Sequence, residues 1–216
     1  MAELLVIADD FTGAMDTGVQ FSEAGLTVRV ITDIGFDFNV SHSENVLVID
    51  SESRHLSAGK AYDTVYDIVK RAAGSGILRI YKKTDSALRG NIGAELAAAL
   101  DASGLSFLDF VPAFPKMNRI TINGIHYIDN VPVAESVFGR DPFEPVMSSS
   151  VKDIISSQTD TLLAEIPADD LAAVAANEGD RKMIRIYNVS SDPELLNAAK
   201  LINKNTSFKL SADRKS

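Results

Sequence analysis

Two acids, Asp9 and Asp10, end an apolar run that begins at Leu4, and Thr12 and Gly13 follow just before a helix-forming segment. A second run, Ile77 to Lys83, leads into Thr84-Asp85-Ser86-Ala87-Leu88-Arg89-Gly90-Asn91. In an open α/β sheet, ligands bind in the crevice beyond the carboxyl ends of the strands. Acids, hydroxyls, a lysine and an arginine delivered to that edge suit a small, polar, anionic substrate undergoing acid/base or phosphoryl chemistry. Phosphoryl transfer to a hydroxyl needs the acceptor held in line, a base for its proton, and cations that offset charge on the transferring group.

Each residue has a functional and an ordinary account. Adjacent side chains on an extended backbone point to opposite sides, so at most one of Asp9 and Asp10 faces a pocket squarely; the other caps the next helix or bonds to backbone. Asp10 is the candidate base or hydroxyl-orienting group. Gly13 either lets backbone N–H groups approach an anion at the helix N-terminus or serves tight helix–strand packing. Arg89 carries the strongest expectation, because a guanidinium forks onto a carboxylate; the ordinary account is a loop salt bridge with Asp85, and both can hold together. Asp85 and Ser86 can bond substrate hydroxyls, and Lys83 can stabilise a carboxylate or the transferring phosphoryl group. His42, His55 and His126 are scattered, and no spacing suggests a protein-built metal site.

The chain has 216 residues, 45% hydrophobic and 24% charged, within the range of a soluble globular protein with a core. No apolar run approaches the roughly 20 residues of a membrane span, and the N-terminus lacks the features of a signal peptide. With no cysteine, disulfides, thiol catalysis and Cys-based zinc sites are excluded. Cytoplasmic residence is expected. A net charge of −9 argues against nucleic acid as a partner, which needs a basic face, and no membrane partner is expected.

The elements that must position these groups alternate. Strands are expected at Leu4–Ala8, Thr27–Thr32, Asn45–Ile49, Ile77–Lys82, Phe107–Val111, Thr161–Ile166 and Met183–Tyr187. Helices are expected at Thr12–Glu23, Ser57–Ala73, Asn91–Ala102, Val151–Ser157, Asp169–Ala176 and Pro193–Asn203. Asn91 is the expected N-cap of its helix, with Glu95 adding a first-turn acid. Strands apolar nearly throughout predict a doubly wound α/β fold, with a mostly parallel sheet and helices on both faces. Within residues 112–147, Arg119–Ile122, Asn123-Gly124 and Ile125–Ile128 read as a small β-hairpin insertion with a type I′ turn. One domain is expected over 1–203, followed by a polar, frayed tail over 204–216.

The segments Ala8-Asp9-Asp10-Phe11-Thr12-Gly13-Ala14, Asp50-Ser51-Glu52-Ser53-Arg54, Lys82 through Gly93, and Pro112-Ala113-Phe114-Pro115 through Arg119, Thr121, Gly124 and Tyr127 resemble the N-terminal, sugar-binding domain of the four-carbon acid sugar kinases. The likeness runs on through Val131-Pro132, Glu135 and Asp141-Pro142, and more weakly through Ile186–Asp192. The resemblance implies an ATP-dependent kinase acting on threonate, erythronate or a related sugar acid. Asp10 and Lys83 would be its catalytic residues. Asp9, Thr12, Gly13, Arg54, Asp85, Ser86, Arg89, Gly90 and Arg119 would bind substrate, with no protein-held metal. In the family the nucleotide-binding Gly-rich segments lie in a second half. This chain is therefore expected to act as the substrate half, partnered by a C-terminal nucleotide-binding domain in cis or trans, with ATP and Mg2+ present only in the complete enzyme and a homodimer possible. At one departure, Asn118 stands where the family has Gly; Asn tolerates positive φ.

Two other classes compete. A haloacid-dehalogenase-like phosphatase also begins with strand, aspartates, Thr and Gly, but needs Asp-x-Asp spacing to place two acids on one side. A non-catalytic sugar-acid binder or sensor would need no ATP site, and neither a Walker A sequence nor Gly-x-Gly-x-x-Gly occurs in these residues.

Overall fold

The computed structural model describes residues 2–40, 42–77, 79–167, 181–204 and 209–212. The helix expected at Asp169–Ala176 lies outside them. Among the described residues eight parallel strands form one sheet: β1 (Leu4–Ala8), β2 (Val28–Ile31), β3 (Val46–Asp50), β4 (Arg79–Lys83), β5 (Phe107–Phe110), β9 (Leu162–Ile166), β10 (Met183–Tyr187) and β11 (Lys209–Ala212), in the order β2-β3-β1-β4-β11-β5-β10-β9. The helices are α1 (Phe11–Glu23), α2 (Ala58–Gly74), α3 (Ile92–Ser103), α4 (Val151–Ser156) and α5 (Asp192–Lys204).

The strands are apolar on both sides because both sides are covered. Leu5 and Ile7 of β1, with Leu47 and Ile49 of β3, pack with Val65 and Ile68 of α2 and Leu96 of α3. Their neighbours Val6, Ala8, Val46 and Val48 pack with Ala14 of α1 on the other face. Burying one such Leu, Ile or Val side chain stabilises the fold by about 1.5–3 kcal/mol. β3 pairs with one side of β1 and β4 with the other, and the helices that follow β1 and β4 cover opposite faces. A crevice therefore opens between the carboxyl ends of β1 and β4, at a topological switch point.

Three sequence expectations change. The hairpin insertion is a three-stranded antiparallel sheet of β6 (Arg119–Ile122), β7 (Ile125–Ile128) and a two-residue β8 (Val131–Pro132). Its turn has the expected positive φ at Asn123 (49°) and Gly124 (75°). Asn91 sits at the N-cap of α3 but makes no side-chain cap bond; Gln158 Oε1 instead accepts from the N–H groups of Gly93 (2.8 Å) and Ala94 (3.3 Å). Finally, residues 209–212 are not frayed. They form β11, parallel between β4 and β5. Polarity hid this strand, because a four-residue strand is held by its backbone bonds to both neighbours rather than by an apolar run.

Candidate active site

Asp10, two residues past β1, is the N-cap of α1: its backbone is extended (φ −146°, ψ 161°) and its Oδ1 accepts from Gly13 N at 2.9 Å. Asp9 Oδ2 accepts from Arg54 Nε at 2.8 Å. Arg54 reaches both acids, with Nη1 at 2.8 Å from Asp10 Oδ2, and its Nη2 lies 3.8 Å from Asp85 Oδ1. One nearly buried guanidinium thus ties together the loops after β1, β3 and β4. Burial opposes its charge, yet Asp9, Asp85 and Asp10 hold its proton more firmly than usual.

Backbone contacts fix this arginine. Arg54 N donates to the Asp9 carbonyl (3.2 Å), and the Asn91 Nδ2 group clamps the carbonyls of Ser53 (2.9 Å), Arg54 (3.2 Å) and Leu56 (2.8 Å). Asn91 is thus a loop clamp, not a helix cap. Gly90, at φ +81°, lets the next loop pass close by: a Cβ there would lie 2.9 Å from Arg54 Cγ.

Alternation along β4 separates two lysines. Lys82, with no solvent exposure, pairs with Glu95 Oε2 at 2.7 Å and donates to the Lys83 carbonyl at 2.9 Å. The expected first-turn acid is therefore half of a buried ion pair, and burial raises its carboxyl despite Lys82. Lys83 turns to the α1 face. A Cβ on Gly13 would sit 2.5 Å from Lys83 Nζ and 2.6 Å from Asp10 Oδ1, so only glycine leaves room for the ammonium. That ammonium lies 3.9 Å from Asp9 Oδ1 and against the first turn of α1, whose free N–H groups carry partial positive charge. An ammonium and a helix N-terminus set side by side favour an anion between them.

Asp85 is the hub of the β4 loop. It accepts from Arg89 Nε (2.7 Å), Arg89 Nη2 (3.2 Å) and Arg89 N (3.2 Å). Burial pushes its carboxyl up, but the Arg89 hydrogen bonds and the charges of Arg54 and Arg89 hold it below the usual range. Arg89 Nη1 donates to Asp141 Oδ2 at 3.1 Å. The fork expected to meet a substrate carboxylate thus meets Asp85, as the salt-bridge account had it. Arg119 Nη1 donates to Ser86 Oγ at 3.0 Å, and the Phe138 ring lies 5.2 Å from both the Arg89 and the Arg119 guanidinium carbons. Asn118 adopts φ 51°, the conformation a Gly would take, and so preserves the turn before Arg119.

Every residue singled out from the sequence lies on or beside this edge, including Thr12, exposed in the first turn of α1. Three contributors were named in the sequence without a role at the site. Fully buried His126 links the small sheet to the β4 loop, with Nδ1 3.1 Å from Thr121 Oγ1 and Nε2 3.1 Å from the Ser86 carbonyl. Burial lowers its imidazole to about 4, so it stays neutral and donates from Nε2. Asp50 lies beside Ala8 at the end of β3, and its carboxyl is pushed up to about 6 by burial, with Glu52 and Asp10 adding to the effect. Asp141 is the third. The alternation of Ile125-His126-Tyr127-Ile128 marks His126 as facing the same side as buried Ile128, a signal available from sequence.

A parallel sheet with a charged crevice at its switch point places this chain among open-sheet α/β proteins, which bind ligands at that edge. The chain belongs to the sugar-binding N-terminal domain family, whose model matches residues 4–211. It is 36% identical to a D-threonate kinase of Salmonella typhimurium over 78% of this chain and 40% of that protein. It is 32% identical to a D-erythronate kinase of Heliobacterium modesticaldum over 77% of this chain and 38% of that one. A domain of unknown function from Bordetella bronchiseptica, solved with bound citrate as a domain-swapped dimer, superposes with a TM-score of 0.84 at 28% identity, covering 98% of this chain and 53% of that one. The chain therefore spans about two fifths of the curated relatives and half of the solved one. Among the described residues no helix is long and apolar enough to cross a membrane.

Proposed function

We propose that this chain is the substrate-binding half of an ATP-dependent kinase for a four-carbon sugar acid of the threonate or erythronate type. The observation that carries the reading is the Lys83 ammonium packed against the α1 N-terminus through Gly13, in a chain whose relatives are named for kinases of such acids. Lys83 and the α1 N–H groups hold the anionic end of the acid or the transferring phosphoryl group. Asp10, fixed by Gly13 N and Arg54, orients the acceptor hydroxyl and is the candidate for its proton. Ser86 and Asp85 bond further hydroxyls, and Arg54, Arg89 and Arg119 keep those acids and hydroxyls in place.

ATP with Mg2+ supplies the phosphoryl group. The nucleotide and its metal are assigned to a C-terminal nucleotide-binding domain, in cis or trans, because the chain spans about two fifths of its kinase relatives. The citrate-bound relative is a domain-swapped dimer, and a homodimer forms part of the proposal, to be checked by light scattering. Cytoplasmic residence fits the same reading. The dehalogenase-type alternative needs Asp-x-Asp spacing, whereas here the two acids are adjacent in the chain and both are paired with Arg54.

The test is calorimetric titration with threonate, with erythronate, and with ATP separately. Acid binding without ATP binding supports the proposal. ATP binding alone, or phosphatase turnover without ATP, would overturn it. Acid binding that never becomes turnover when a relative's nucleotide-binding half is added would favour the sensor.

A further inference from the structure

Arg89 has two acidic partners of different character. Asp85 lies four residues away and is fixed within its own loop, with Arg54 Nη2 3.8 Å from its Oδ1. Asp141 arrives from 52 residues further along the chain. Its Oδ1 is already occupied by the N–H groups of Phe143 (2.9 Å) and Glu144 (3.0 Å), which leaves Oδ2 presented to Arg89 Nη1. These loop bonds, with Arg89, hold its carboxyl down at about 2, so it remains an anion at any working pH.

The segment that carries Asp141 is strapped across the site. Phe138 stacks against Arg89 and Arg119, and Glu144 Oε1 lies 3.1 Å from His55 Nδ1, next to Arg54. Val146, buried in the main core, and Phe138, packed against it, anchor the segment, while Val137, Phe143 and Met147 are 76%, 84% and 83% exposed. Between those anchors, the Asp141–Arg89 contact is a part-exposed ion pair that another carboxylate can replace at little energetic cost.

We propose that Asp141 is a built-in stand-in for the substrate carboxylate: it occupies the outer edge of Arg89 in the ligand-free protein, and an arriving sugar acid displaces it. The inference rests on the sugar-acid reading above and adds a residue that sets affinity. Arg89, preassembled on Asp85, is then the carboxylate receptor only after Asp141 has left.

The experiment compares threonate binding by calorimetry to the wild-type chain and to Asp141→Asn. The amide keeps the Oδ1 acceptor for Phe143 and Glu144 but removes the competing charge. The variant is expected to bind threonate more tightly, on the order of threefold, the scale of one partly exposed ion pair. Erythritol, which has the hydroxyls without the carboxylate, should show no gain. Hydrogen exchange over residues 137–147 should quicken when threonate binds the wild type. If the wild type binds threonate and Asp141→Asn binds it equally or more weakly, the stand-in is refuted while the sugar-acid reading survives. If the wild type binds neither acid, that reading fails and takes the inference with it.

Discussion

At the scale of single residues, Gly13 and Lys83 are the sharpest pair. Replacing Gly13 by Ala places a methyl group where Lys83 Nζ and Asp10 Oδ1 now lie. Both are ends of flexible side chains, so the fold can give way. Loss of the cap costs about 1 kcal/mol and the better helix former returns a similar amount. Gly13→Ala is expected to shift unfolding free energy by less than about 1 kcal/mol while weakening sugar-acid binding by about tenfold or more, the scale of one charged contact. Denaturant unfolding beside calorimetry checks this; unchanged affinity would remove the ammonium from the site. Asp9, Asp10, Asp85 and Arg89 were legible because each sits just past a strand, where chemistry is expected. What linked them was not. Residues 9, 54 and 85 meet only because β3 and β4 flank β1, and no local spacing encodes that adjacency.

At the scale of elements, the small antiparallel sheet acts as a bracket for the β4 loop, and His126 is its bolt. The imidazole lies near 4 in the fold against about 6.5 unfolded. Above pH 6.5 both states are neutral and the shift has no effect. As pH falls from 6.5 to 4 the unfolded chain takes up a proton that the folded one refuses, so about 3 kcal/mol of stability is lost. Asp50 works in the opposite sense: its carboxyl, raised to about 6, contributes stability below the unfolded value of 3.8 that is lost as pH rises through 6. His126→Gln should therefore lower stability at pH 7 through the lost bonds, yet flatten or reverse the acid-side slope. Unfolding at pH 7 and 4.5 measures it, and an unchanged slope would mean the ring is protonated in the fold. The Asn123-Gly124 turn that builds the bracket was plain in the sequence. Its purpose was not: the hairpin register pairs His126 with Thr121, but the Ser86 carbonyl that makes it a bolt lies 40 residues away along the chain.

At the scale of the whole molecule, the most consequential element is the least conspicuous. β11 joins the β2-β3-β1-β4 half of the sheet to the β5-β10-β9 half, although no apolar run announces it. It pairs with Ile80 and Tyr81 of β4 on one side and with Asp109 and Phe110 of β5 on the other. Without it, two strands in the middle of a sheet would face each other across a gap, with N–H and C=O groups unpaired. Each lost backbone bond costs about 1 kcal/mol net, and more where the freed group stays buried. Ending the chain at residue 208 is therefore expected to lower stability by several kcal/mol. Because β4 carries Lys82 and Lys83, sugar-acid binding should fall with it. Hydrogen exchange gives the decisive pattern: amides of β4 and β5 should lose protection, while those of β2 and β3, on the far side of β1, keep theirs. Equal protection throughout, with unchanged unfolding, would show that the two halves of the sheet close on each other directly and that β11 is dispensable to the site.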